Sequence, residues 1–214
     1  MCMLDVSIKN KELIKTLDWF AEWMFSHDQS VLDNLKFPNC ESNVQEATSI
    51  EYLRRLQEKH VLESGFPLDL FGYDINAGKI SEMPDGWNSI ALELDKRMIS
   101  AIGVEFSALK MYYPTDGYIG WHNNCNCPGQ NLLLTYSKTG NGYFEYVDPV
   151  SKEIIRMEDR PGWTAKVGYY GSDKEPDKII WHCARTYEPR ITISYVVRDQ
   201  SMWEFMVEDI QSDQ

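Results

Sequence analysis

Two of the four histidines in this chain directly follow a tryptophan, in Trp121-His122 and Trp181-His182, and they lie 60 residues apart. A neutral imidazole nitrogen ligates divalent metals, and two of them brought together from separate strands can share one ion. The plainer reading is that each is a core histidine with its hydrogen bonds satisfied. Eight residues after His182 comes Arg190, which opens the run Arg-Ile-Thr-Ile-Ser-Tyr-Val-Val. Alternate residues of a strand share a face, so Arg190 points with Thr192 and Ser194. If that face is interior, the guanidinium is buried and needs an anion, and its planar fork fits a carboxylate at two points. An ion pair with Glu145 or Asp148, or a solvent-facing place on an edge strand, would account for the same arginine.

These residues need elements that hold them. Residues 11–28 carry Leu13, Ile14, Leu17, Phe20, Ala21, Met24 and Phe25 at spacings of three and four, the stripe of an α-helix packed on a core. A second helix is expected over 48–60, where Thr48 and Glu51 have capping-box spacing. A third is expected from about Asp85 to Ile102, stopped by Gly103. From Val104 the period changes. About eight β-type segments, near 104–113, 118–122, 131–137, 142–147, 153–157, 163–168, 178–183 and 190–197, alternate with Gly, Pro, Asn and Asp clusters. Helices followed by evenly spaced strands predict an α+β fold. Its form would be a double-stranded β-helix, a cupin-like jelly-roll with N-terminal helices buttressing one of its two sheets. The 214 residues are expected to form a single domain: a helical part with connecting loops over 1–103, a β core over 104–198 and an acidic, solvated tail over 199–214.

Composition narrows the function. At 43% hydrophobic and 25% charged, the chain has the make-up of a globular protein, and its apolar runs are far shorter than a membrane helix needs. No secretory signal is recognisable at the N-terminus, so a cytoplasmic location with reduced thiols is expected. A formal net charge of −12 would repel a phosphate backbone, which disfavours duplex nucleic acid as a partner.

Over roughly 104–198 the sequence resembles the iron(II)- and 2-oxoglutarate-dependent dioxygenase superfamily, whose pattern is H-x-[D/E], a distal His, and an Arg about ten residues on with a polar residue two positions later. His122, Asn124, His182, Arg190 and Thr192 occupy those places. Tyr113, nine residues before the first His, stands where the prolyl-hydroxylase-like and AlkB-like branches often put a tyrosine that touches the cosubstrate. The segments at 140–146 and 160–167 resemble the family's strands before the distal His. The resemblance implies that iron(II) is held by His122, Asn124 and His182, and that 2-oxoglutarate is held by Arg190, Thr192 and Tyr113. O2 would then oxidise a protein, peptide or small-molecule substrate, with release of succinate and CO2.

Asn124 departs from the pattern, because an amide in place of the acid brings no negative charge to the metal. Three readings stay open: the amide oxygen is a ligand, a carboxylate such as Asp116 or Asp148 completes the set, or the site is poor in metal and the protein is a non-catalytic binding module. Halogenating members of the superfamily also lack the acid, but they have Ala or Gly there, and Asn is larger and polar. Cys125, Cys127 and Cys183 allow a rival zinc site with the histidines, although Cys-x-Cys is not the usual knuckle and zinc would leave Arg190 unexplained. Arg198 lies eight residues past Arg190 where the AlkB-type motif has six, which further disfavours nucleic-acid repair. Residues 60–88, rich in aromatics and turns, suit a substrate rim or a packed connection. Trp121, Tyr118 and Tyr136 are candidates for the cavity wall.

Overall fold

The computed structural model describes residues 3–26, 43–58, 69–75 and 86–213. Asn10 starts helix α1 (Lys11–Phe25) by accepting the Leu13 amide on its side-chain oxygen at 2.9 Å, one of the bonds that a first turn leaves unmade. A single turn, α2 (Val44–Ala47), leads into α3 (Ile50–Glu58). Thr48 does not cap α3 as its spacing to Glu51 predicts. Its hydroxyl donates back to the Val44 carbonyl at 2.7 Å, and Ser49 Oγ accepts the Tyr52 amide at 3.1 Å in its place. Helix α4 (Trp87–Ile102) ends at Gly103, whose left-handed backbone (φ 64°) turns its N–H onto the Ile99 carbonyl. The start expected at Asp85, residues 59–60 of the second expected helix and most of the 60–88 rim lie outside the described residues.

Two antiparallel sheets follow. The larger contains β1 (Leu4–Val6), β3 (Tyr73–Asp74), β4 (Phe106–Tyr113), β6 (Gly129–Ser137), β9 (Gly162–Tyr170) and β11 (Arg190–Val197), in the order β1-β9-β6-β11-β4-β3. The smaller contains β2 (Leu70–Phe71), β5 (Tyr118–His122), β7 (Gly142–Val147), β8 (Ile154–Glu158) and β10 (His182–Thr186), in the order β2-β5-β10-β7-β8. From β4 onward the chain crosses from one sheet to the other at each connection, except in the β7–β8 hairpin.

Strand alternation sorts the side chains into layers. On β11, Ile191, Ile193, Tyr195 and Val197 face a core shared with Leu13, Leu17, Phe20 and Met24 of α1 and with Leu94 and Met98 of α4. Each such side chain, fully buried, contributes about 1.5–3 kcal/mol relative to exposure. The other face of β11 carries Arg190, Thr192 and Ser194 into the space between the sheets, where Tyr113, Leu133, Phe144 and Tyr170 lie. Helices cover both sheets, and not one alone as the pattern predicts. Tyr52, Leu53 and Leu56 of α3 pack against Trp121, Val147 and Cys183 on the outer face of the smaller sheet.

Two further expectations are corrected. The strand predicted near 178–183 begins at His182 and runs to Thr186. Pro176 opens a 3₁₀ turn (Pro176–Lys178), and the Lys178 carbonyl accepts from Gly171 N at 3.0 Å, which takes the first residue of the expected strand out of the ladder. The region read as a solvated acidic tail contains helix α5 (Gln200–Ile210). Asp199 accepts the Met202 amide at 2.9 Å, and Trp203, Met206 and Ile210 are buried in the same core as α1 and α4.

Candidate functional site

A cavity of about 260 Å³ lies between the two sheets, and His122, Asn124, His182, Arg190, Thr192 and Tyr113 all line it. His122 is the last residue of β5 and His182 the first of β10. Because those strands are antiparallel neighbours, the two histidines are direct cross-strand partners. Their ring centroids are 4.1 Å apart. They meet at one end of two interior neighbouring strands of the smaller sheet.

Each ring is held by its own turn. His122 Nδ1 lies 2.8 Å from the Gly120 carbonyl, and His182 Nδ1 lies 3.0 Å from the Ile180 carbonyl. A carbonyl can only accept, so in each neutral ring the proton sits on Nδ1 and Nε2 keeps its lone pair. Burial pushes the His122 pKa down to about 4, against the opposing pull of the Gly120 carbonyl. The His182 pKa also falls well below the ordinary range, first through burial and then through the adjacent His122. Both rings are therefore neutral at pH 7, with unprotonated Nε2 atoms in one wall of a cavity, the state in which histidine ligates metals.

Asn124 completes this corner, with its amide nitrogen 3.5 Å from His182 Nε2. Half a turn of the amide exchanges nitrogen for oxygen at the same place. Neither carboxylate that could replace the acid lines the cavity: Asp148 Oδ1 accepts the amides of Val150 and Ser151 at 2.8 and 2.9 Å, and Asp116 sits in a turn at φ 61°. Among the described residues, no three His, Cys, Asp or Glu side chains come together to hold a metal. That finding speaks against the zinc alternative. Cys183 follows His182 and so faces the other way, into the α3 core, with its thiol 3.8 Å from Glu145. Cys127 alone of the three thiols lines the cavity.

The opposite end of the cavity is cationic. Arg190, only 2% exposed, stands across from Tyr113 on β4, and its guanidinium carbon lies 5.9 Å from the Tyr113 ring centroid. Burial drives the Tyr113 pKa upward, so its hydroxyl stays protonated. Arg190 is not paired with Glu145 or Asp148. Glu145 takes Arg156 at 2.7 Å, while Arg190 meets Asp159, with Nε 2.9 Å from Oδ2 and Nη2 donating to Oδ1 at 3.2 Å. Lys166 shares that carboxylate, its Nζ 3.6 Å from Oδ1, and Lys166, Asp159 and Arg190 are all buried. The hydroxyls of Thr192 and Thr135, cross-strand partners, are buried with no hydrogen-bond partner. Such atoms are costly unless a ligand or water satisfies them.

Asp159, Lys166 and Thr135 escaped the sequence reading. The alternation of Thr164, Lys166 and Gly168 on one face of β9 could have shown that the lysine points inward, but nothing local marks Asp159 as its partner. Trp121, Tyr118 and Tyr136 do not line the cavity, which is walled by Tyr113, Phe144 and Tyr170. Trp121 faces α3, and Tyr136 packs against Phe25 and Trp163 on the helical side.

No protein-family model matches the sequence, and no curated protein matches it. Solved structures do resemble the fold. A prolyl hydroxylase from Trichoplax adhaerens, in complex with a hypoxia-inducible-factor oxygen-degradation-domain peptide fragment, is similar at 12% identity and a TM-score of 0.42, with 94% of this chain and 84% of that one covered. A prolyl-4-hydroxylase from Pseudomonas putida is similar at 12% identity and a TM-score of 0.34, with 80% and 98% covered. A 2OG-Fe(II) oxygenase-family oxidoreductase from Burkholderia pseudomallei is similar at 16% identity and a TM-score of 0.38, with 85% and 88% covered. Likenesses this distant assign no role to any residue of this chain.

Proposed function

We propose that this chain is an iron(II)- and 2-oxoglutarate-dependent oxygenase built on a double-stranded β-helix, and that it hydroxylates a protein or peptide side chain or a small molecule. One observation carries the reading: a single cavity has two neutral, metal-ready imidazole nitrogens at one end and a buried surplus of positive charge at the other. A 2-oxo dicarboxylate has the matching polarity, with a chelating keto acid at one end and a bare carboxylate at the other. The crossing of successive strands between two sheets supports the β-helix part of the reading.

The residues present fit iron in part. His122 and His182 would supply two nitrogens, and Asn124, turned to offer its amide oxygen, would supply the third atom without the usual charge. When bound, iron would activate O2 so that 2-oxoglutarate is oxidised to succinate and CO2 and one oxygen atom enters a C–H bond of the substrate. The chain's own residues do the rest. The Gly120 and Ile180 carbonyls hold the ring tautomers. Arg190 offers Nη1, the nitrogen that Asp159 does not engage, to the far carboxylate. Thr192 and the protonated Tyr113 offer hydroxyls to the same group, and Phe144 and Tyr170 keep the space between the two ends dry.

A second reading is a binding module that holds a ligand in this cavity without turnover. It is favoured by the absence of an acid at position 124 and by the lack of a substitute among the described residues. Succinate production separates the two. Protein loaded with iron(II) without oxygen, then given 2-oxoglutarate and air, is expected to form succinate, and Arg190→Ala is expected to form none while remaining folded. Succinate at background level in the wild type, with and without candidate peptides, would leave only the binding module.

A further inference from the structure

Fixing an arginine and keeping its charge available are opposing demands. A carboxylate that grips a buried guanidinium by two atoms also neutralises it, and a neutral pair attracts an incoming anion weakly. Asp159 meets Arg190 at two points, a hydrogen bond from Nη2 to Oδ1 and an ionic contact between Nε and Oδ2 that is not aligned as a hydrogen bond. Gly142 leaves room for the grip, since a Cβ there would come within 2.7 Å of Asp159 Oδ2. On its own, this pair would make the cavity end rigid and electrically neutral.

Lys166 changes the balance. It lies on β9 beside Leu133 of β6, which in turn faces Ser194 of β11, so the three residues form one inward row across the larger sheet. Its side chain is 1% exposed, its ammonium makes no hydrogen bond, and its near anion is the Asp159 carboxylate that already holds Arg190. It does not line the cavity. The other charges that act on Lys166, Asp5 and Arg160, pair with each other 3.5 Å apart at the half-exposed edge. Burial lowers the Lys166 pKa and the Asp159 carboxylate opposes that shift; with the ammonium protonated, the buried cluster counts two cations against one anion.

We propose that Lys166 is a positioning residue that keeps the cosubstrate end of the cavity cationic: by sharing Asp159 with Arg190, it lets the carboxylate orient the guanidinium without cancelling its charge. This rests on the reading that the cavity takes 2-oxoglutarate. Lys166 touches no ligand and acts only through Asp159. The net charge of the cluster, +1, sets the affinity for the far carboxylate.

Charge-changing variants test this, read as the equilibrium binding of 2-oxoglutarate by calorimetry in the presence of manganese(II). Lys166→Met brings the cluster to zero and is expected to weaken binding at least about tenfold, a change of one buried charge near the ligand. The double variant Asp159→Asn/Lys166→Met returns it to +1 and is expected to bind within about threefold of wild type, because removing both partners of a buried ion pair is well tolerated and Asn still accepts from Arg190. Recovery of affinity on a second substitution is not what a purely structural lysine would give. If Lys166→Met does not fold, the double variant alone decides, since a loss of ten-fold or more in a folded double variant contradicts the charge argument. Wild-type affinity in folded Lys166→Met, or a double variant no better than the single, also overturns the proposal. In either case wild-type binding leaves the oxygenase reading standing, whereas wild type that does not bind 2-oxoglutarate overturns both.

Discussion

The residues of the site divide by how they obtain their partners. His122 and His182 take theirs from backbone carbonyls two residues earlier, Gly120 and Ile180, so their tautomers are set locally. Arg190 and Lys166 take theirs from a turn that precedes β9. That difference explains what could be read in advance. The two Trp-His pairs, and the alternation that places Arg190 with Thr192 and Ser194, are visible in a few consecutive letters, and the structure gathers all of the proposed ligands around one cavity. Asp159 is visible only once β9, β6 and β11 are side by side. Asn124 is the weak point of the metal corner. If its amide is a ligand, Asn124→Asp adds a negative charge there and is expected to tighten metal binding by at least about tenfold, a small share of the gain that a full charge makes at close range. Manganese(II) titration measures this, and equal affinities in the two proteins would remove position 124 from the metal site.

At the scale of elements, the strand boundaries show where local signals rule and where they are overridden. Residues 118–122, 142–147 and 190–197 have the bounds that their alternation predicts. The later start of β10 follows the Pro176 turn, and its first residue, His182, pairs with His122. Helix α5 is missed when the segment is read by its acidic enrichment, although Trp203, Met206 and Ile210 have helical spacing. Glu188, between β10 and β11, ties the loop after β6 to that turn: its carboxylate accepts from Ser137 Oγ, Thr139 N and Asn141 N. Burial raises the pKa of this group, but those hydrogen bonds outweigh it and the net shift is downward from 4.5. A carboxylate with a depressed folded pKa stabilises the fold above its unfolded pKa, and that stability is lost as pH falls through the folded value. Glu188→Gln is accordingly expected to lower the melting temperature at pH 7, with the gap to wild type closing below about pH 4. Melting curves across that range measure it, and a gap that does not change with pH would assign the effect to packing.

The whole molecule combines an acidic exterior, with a formal net charge of −12, and a small interior cluster of opposite sign. Helices before strands is an order that sequence periodicity shows well, and two antiparallel sheets with helical buttresses follow from it. It does not show that helices cover both sheets, because α3 is amphipathic in the same way as α1 and only tertiary contact decides which sheet each meets. The fold brings His122, Asn124, His182, Tyr113, Arg190 and Thr192 to one cavity, so the proposed metal and cosubstrate would bind within reach of each other. The most direct test is optical. Adding 2-oxoglutarate to the iron(II)-loaded protein without oxygen is expected to produce a visible metal-to-ligand charge-transfer band, which arises only when the keto acid chelates the iron. Binding of both components with no such band would contradict the shared site, and with it the central claim.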